Sequence, residues 1–208
     1  MECPYRFSLT TFNVWGKQYW PERSEPLNKL FSTLKSDIYL LQEVTPEIIY
    51  FLDTHLLKYK RVTSCIDETK PLPKGWLTES NIYWNDEFFA LKDYGQCQLD
   101  LTEYPDRCLF WVRLSIRINP SMHIFVSTAH FPWVGSSEEI LSGINQRIPT
   151  SLKVCQYFRR LFGEGECVIF GGDLNDDYHP IRILNEEMGF VDVFEALDLS
   201  PPITHPVR

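Results

Sequence analysis

None of the six cysteines (Cys3, Cys65, Cys97, Cys108, Cys155 and Cys167) belongs to a C-x-x-C pair, which argues against a structural zinc site. No apolar run is long enough to cross a bilayer. The opening residues, Met1-Glu2-Cys3-Pro4-Tyr5-Arg6, lack the basic segment and apolar stretch of a secretory signal. Without that route to an oxidising compartment the cysteines read as reduced thiols, and the expected location is cytoplasmic or nuclear. Basic residues are in deficit: 20 Lys and Arg against 28 Asp and Glu give a net charge of -8 and a pI of about 5.1. That argues against a broad basic face for sequence-independent duplex binding. It does not exclude a local site where a divalent cation screens a phosphate. There is no repeat at a solenoid period and no low-complexity tract.

What remains is an ordinary globular composition, 44% hydrophobic and 14% aromatic over 208 residues, enough for one substantial domain. Arg6 to Val14 reads as a first strand. Ser24 to Leu34 reads as a helix, with Leu27, Leu30, Phe31 and Leu34 recurring at three- and four-residue steps. Asp37 to Val44 is a short apolar run ending in Gln42-Glu43. Thr45-Pro46-Glu47 then supplies a hydroxyl cap, a proline at the first helical position and an acid in the first turn. Ile66 to Glu79, with Pro71, Pro73 and Gly75, reads as a surface loop.

Beyond it, Asn81 to Trp84, Phe88 to Leu99, Cys108 to Ile118 and His123 to His130 read as successive strands. Phe110, Val112, Leu114, Ile116 and Ile118 are expected on one face, with a turn at Asn119-Pro120. Ile148, Leu152, Cys155, Phe158 and Leu161 form a helical stripe that Pro149 either opens or kinks. Strand and helix alternate at both ends around a central block of strands. Two packed sheets covered by helices account for that order better than a doubly wound sheet.

The run Val168-Ile169-Phe170-Gly171-Gly172-Asp173-Leu174-Asn175 carries most of the chemistry. An apolar strand stops at two glycines and presents a carboxylate and a carboxamide two residues apart, on one side if the strand pattern persists. The glycines permit a close approach to the backbone. Asn13, Gln42-Glu43 and His130 also lie at the C-terminal ends of expected strands, and several strand ends on one edge commonly build a site.

The ordered set Phe12-Asn13-Val14, Leu41-Gln42-Glu43-Val44, Thr128-Ala129-His130-Phe131 and Gly172-Asp173-Leu174-Asn175 resembles the endonuclease/exonuclease/phosphatase superfamily, whose fold is DNase I-like. Its tyrosyl-DNA phosphodiesterase-like members are closest in motif style. The resemblance implies an α/β fold of two packed, mostly antiparallel sheets flanked by helices, a four-layer α/β/β/α sandwich. It implies a phosphodiesterase or phosphatase dependent on Mg²⁺ or Mn²⁺. Glu43 is then the metal ligand with Asn13 beside it. Asp173 orients or deprotonates the attacking water. His130 and Asn175 hydrogen-bond the phosphate, joined by Asn13 and by Arg147 at the approach to a helix. The implied substrate is a nucleic-acid end, single-stranded nucleic acid or a small phosphodiester.

The family closes its site with a further Asp and a Ser-Asp-His segment. Here His205 is followed by Pro206 and preceded by Thr204, so it does not match. The chain therefore reads as one domain, 1–208, incomplete at its C-terminal end. A catalytically inactive member of the fold acting as a binding or scaffold module is the alternative reading.

Blander readings compete at each residue. Gly171 to Asn175 also suits a plain turn. Asp173, Asn175 and Asp177 alternate like calcium ligands, but an EF-hand would need Gly and Glu where Tyr178 and Leu184 stand. Glu43 alone suits a helix N-terminus, and His130 alone a structural histidine. Packing is the expected role for Trp15, Trp20, Trp76 and Trp133, with more weight on a site for Trp15 and Trp133 after the Asn13 and His130 strand ends.

Overall fold

The computed structural model describes residues 5–65, 72–201 and 204. Two four-stranded sheets face each other. The first has the order β1-β2-β4-β3, with β1 Leu9–Asn13, β2 Ile38–Gln42, β3 Tyr59–Lys60 and β4 Ser80–Asn85. The second runs β5-β6-β7-β8, with β5 Phe89–Gln98, β6 Cys108–Ile116, β7 Asn119–His130 and β8 Cys167–Asp173. Each sheet holds one parallel pairing at its edge, β1 with β2 and β7 with β8, and antiparallel pairings elsewhere.

Seven α-helices accompany the sheets among the described residues: α1 Ser24–Leu34, α2 Pro46–His55, α3 Gly75–Thr78, α4 Ser137–Ser142, α5 Arg147–Leu161, α6 His179–Met188 and α7 Val193–Ala196. Alternation along the strands sorts the apolar residues into three layers. Ile38 and Leu40 of β2 meet Phe110, Val112 and Leu114 of β6 between the sheets. Tyr39 and Leu41 point the other way, onto Leu27, Phe31, Ile48 and Leu52 of α1 and α2. Leu109, Phe125 and Phe131 pack on Val154, Cys155 and Phe158 of α5 and Leu184 of α6. The result is the α/β/β/α sandwich. Full burial of one such side chain stabilises the fold by about 1.5–3 kcal/mol.

Local signals explain several boundaries. Thr45 Oγ1 accepts from the Ile48 amide at 3.4 Å, and Pro46 opens α2. Pro149 sits in the first turn of α5, where a missing N–H costs nothing, so it opens the helix.

Other elements differ from the sequence reading. The region from 72 to 79 is not all loop: α3 forms there, and Trp76, 1% exposed, packs edge-on against Phe110. Ile66 to Pro71 lies outside the described residues, as does His205. The turn between β6 and β7 is at Arg117-Ile118, because Ile116 pairs with Asn119, and Ile118 is exposed instead of sharing a buried face. Pro120 is tolerated near the start of β7. On α5 the buried face is Thr150, Ser151, Val154, Cys155 and Phe158, and Leu152 points outward. The sequence reading named no helix after Asn175, where α6 and α7 form.

Cys65, Cys97, Cys108, Cys155 and Cys167 form no disulfide with one another. Among the described residues no helix is long and apolar enough to cross a membrane.

Candidate active site

Parallel pairing puts Asn13 beside Gln42 at the ends of β1 and β2, and His130 beside Asp173 at the ends of β7 and β8. The sheets face each other, so these ends meet. Gln42 fastens the floor: its buried carboxamide donates to Thr128 Oγ1 at 2.8 Å, Thr11 Oγ1 at 3.2 Å and the Leu40 carbonyl. The two glycines before Asp173 serve packing. A Cβ on Gly172 would lie 2.2 Å from the Ala129 carbonyl oxygen, and one on Gly171 would lie 3.0 Å from Leu40 Cδ1 of the facing sheet. The close approach comes from the protein's own strands.

Asn13 is the hub. Its Nδ2 donates to Glu43 Oε1 and to Asp173 Oδ2, both at 2.8 Å. Its Oδ1 accepts from the Trp15 amide at 2.8 Å, which fixes the amide's orientation because a backbone N–H only donates. The carboxamide oxygen is therefore turned to the backbone, and Asn13 acts here as a donor bridging two carboxylates, not as an oxygen ligand for a cation.

His130 Nε2 faces the same two oxygens, at 3.7 Å from Asp173 Oδ2 and 3.9 Å from Glu43 Oε1, too far for direct bonds. The ring is 3% exposed, and its Nδ1 has no hydrogen-bond partner. Burial pushes the imidazole pKa down to about 3; the nearby Arg107 charge adds to this, and Asp173 opposes it. His130 is thus neutral near pH 7, with at most one ring N–H to offer.

Two more expected roles change besides that of Asn13. Asn175 has left the strand at φ +51; its amide donates to the Phe131 carbonyl at 3.0 Å, and its backbone N–H donates to Asp173 Oδ1 at 3.2 Å. It holds the β8 end against the β7 end. Arg147 does not join the group. Its guanidinium is 2% exposed and donates to both oxygens of Glu139 at 2.7 Å, with Asp176 3.5 Å from its Nε. That pairing explains a buried arginine without any phosphate.

The sequence reading missed Arg107. Buried just ahead of β6, it donates to the Phe131 carbonyl at 2.9 Å, pairs with Glu79 at 3.3 Å and lies 3.9 Å over the Tyr104 ring. Burial lowers its pKa, and Glu79 opposes that. The available signal was an arginine in the turn Pro105-Asp106-Arg107 directly before an apolar strand.

Backbone strain marks the same place. Glu43, Trp15 and Asn175 all have positive φ, +55, +61 and +51. Such conformations cost of order 1–3 kcal/mol each and persist where the surroundings over-determine them. Here the Gly16 amide donates to the Glu43 carbonyl at 3.1 Å. Among the described residues, no group of three or more His, Cys, Asp and Glu side chains is arranged to hold a metal ion by itself. A hard cation such as Mg²⁺ needs less than that, since it commonly uses one or two carboxylates and completes its shell with water and substrate phosphate. Glu43, whose Oε2 lies beside Gly16 and away from the Asn13 bond, fits that role.

No protein-family model matches the chain, and no curated protein matches it. Solved structures do. TDP2 of D. rerio complexed with single strand DNA product superimposes with a TM-score of 0.70 at 17% identity, covering 92% of this chain and 70% of that one. An endonuclease/exonuclease/phosphatase family protein from Bacteroides thetaiotaomicron gives 0.64 at 16% identity over 83% of this chain and 64% of that one. The mannosyl-6-phosphatase of the same organism gives 0.66 at 15% identity over 88% and 70%. The layered architecture and these superpositions agree: the chain has the DNase I-like fold of these structures.

Proposed function

We propose that the chain is a phosphoester hydrolase that uses Mg²⁺ or Mn²⁺ and an in-line attack of water. The observation that carries the reading is the single Asn13 amide bridging Glu43 and Asp173 at 2.8 Å, with a neutral buried His130 facing both. Two carboxylates close together without a direct cationic partner suit a cation and a phosphoryl group.

Glu43 would hold the cation, which when bound polarises a phosphoryl oxygen and stabilises the leaving oxygen. Asp173 takes one proton from the attacking water or orients it. Its Oδ1 and Oδ2 are each fixed by one donor, Asn175 N–H and Asn13 Nδ2, so its position is set before substrate arrives. The neutral His130 donates through Nε2 as charge builds on the phosphoryl oxygens, and Arg107 adds positive field from behind. A TDP2 structure with single-stranded DNA product supports a nucleic-acid substrate, and the mannosyl-6-phosphatase likeness supports a sugar phosphate.

The test is melting temperature against Mg²⁺ concentration, with hydrolysis of a nitrophenyl phosphodiester alongside. Saturation to 100 times Kd is worth about 2.7 kcal/mol. We expect an upward shift in the wild-type chain and none in Glu43→Gln. A wild-type chain with neither shift nor hydrolysis would instead be a binding module on this fold.

A further inference from the structure

Trp15 and Tyr19 stand on the solvent side of the loop joining β1 to α1. They are 50% and 69% exposed, with ring centroids 5.6 Å apart and planes tilted by 53°. Both have positive φ, +61 and +51, a conformation bulky side chains rarely take. Core packing does not hold them there, since neither belongs to any of the three hydrophobic clusters. Arg23 does. Its guanidinium donates to the carbonyls of Val14, Trp15, Gly16 and Gln18 at 2.5–3.2 Å, and its Cζ lies 5.5 Å from the Trp15 ring centroid. The loop is also tied to the site, through the Trp15 amide on Asn13 Oδ1 and the Gly16 amide on the Glu43 carbonyl. The backbone that carries the rings is therefore fixed to Asn13 and Glu43.

We propose that Trp15 and Tyr19 form a stacking platform for the base adjoining the phosphate at the Asn13–Glu43–His130 site, so that the substrate is an unpaired nucleic-acid end. The phosphate half of this inference rests on the phosphoester-hydrolase reading. The base half rests on the loop. With a net charge of -8, the chain draws little affinity from phosphate neutralisation by a basic surface. Stacking needs no such surface and tolerates any base. A duplex hides its base faces against each other, whereas an unpaired end offers one. Rigid aromatic side chains lose little entropy on contact.

The test measures anisotropy of a labelled short oligothymidylate and of an abasic oligonucleotide of equal length, in Mg²⁺, with Asp173→Asn as background to prevent turnover. Trp15→Ala and Tyr19→Ala are each expected to weaken oligothymidylate binding about tenfold. Trp15→Phe should keep most of it, and the abasic strand should be insensitive to all three changes. Melting curves check that each variant is folded, and Trp15→Leu, which also removes the aromatic face and is expected to weaken binding to the same extent, carries the comparison if Trp15→Ala is not.

Unchanged oligothymidylate binding in both alanine variants overturns the platform. So does equal affinity for the abasic strand, no oligothymidylate binding at all, or a Trp15-dependent affinity for mannose 6-phosphate, which would make a sugar the occupant. The two readings separate cleanly. Base preference without hydrolysis by the unsubstituted chain retains the platform and removes the hydrolase. Hydrolysis of a small phosphodiester without base preference does the opposite.

Discussion

Two carboxylate clusters lie close together along β8 and the loop after it, and they handle charge differently. Asp176 accepts from the backbone amides of Tyr178 and His179 and from Asn145 Nδ2, His179 Nδ1 lies 2.9 Å away, and Arg147 is 3.5 Å away. Burial opposes its charge, but these hydrogen bonds outweigh it and hold the carboxyl far below the usual range. Its neighbour Glu139 takes both arms of Arg147. Glu43 and Asp173, by contrast, share one neutral amide and face a neutral imidazole. Compensated charge makes a girder. Carboxylates with few partners are available to a cation, a water and a phosphate. In the sequence, Asp173 and Asp176 are simply two acids in and beside the same GDLN run.

The largest expected effect breaks the second cluster. Asp173→Asn keeps the shape and removes the base, so phosphodiester hydrolysis should fall about 10²–10⁴-fold while the melting temperature moves little. A rate equal to wild type would move Asp173 out of the chemistry.

Arg147→Met tests the first cluster. It leaves Glu139 and Asp176 without their cation and should cost about 3 kcal/mol in urea unfolding, the low end for a buried pair because Glu139 is partly open to water. The rate well below the melting temperature should hold. Lost rate with intact stability would restore Arg147 as a phosphate ligand.

The smallest effect is the acid dependence of the site. The folded pKa of His130 is lowered, so the unfolded chain binds more protons below about pH 6.5. The stability contribution is full above that pH and is lost as pH falls toward the folded value. For chelator-treated protein, His130 should account for about 2 kcal/mol between pH 7 and pH 4.5. His130→Gln should flatten that part of the urea-unfolding profile, and an unchanged slope would mean that the fold does not lower the pKa of the ring.

Much of the fold was legible because local chemistry and tertiary context agreed. Thr45-Pro46-Glu47 caps α2 as read, and alternation in β6 sends Phe110, Val112 and Leu114 to one layer. The misreadings share a cause. Trp76 looked like part of a loop because Pro73 and Gly75 precede it, yet Gly75 is there so that the chain can pass Phe110 and the Asp106 carbonyl, 2.8 and 2.5 Å from where a Cβ would sit. On α5, Cys155, Phe158 and Leu161 pack on the core, but Leu152 was misplaced: Thr150 and Ser151 are polar by type, while their hydroxyls bond back to the Gln146 and Arg147 carbonyls and can be buried. Arg147 read as a phosphate contact from its place at the approach to a helix, and its partner Glu139 belongs to the separate helix α4, out of reach of any local pattern.

The sequence by itself determined which side chains end the strands: Asn13 after Phe12, Glu43 after Gln42, His130 and Asp173 in their runs. Hydrophobic alternation and turn chemistry act over a few residues, so they can be read from a few residues. Only the tertiary structure decided that one Asn13 amide spans Glu43 and Asp173, that His130 is buried neutral, and that Arg147 is engaged elsewhere. Those outcomes depend on distances between residues up to 160 positions apart in the chain. Such distances, and the desolvation that accompanies them, exist only once the two sheets have packed.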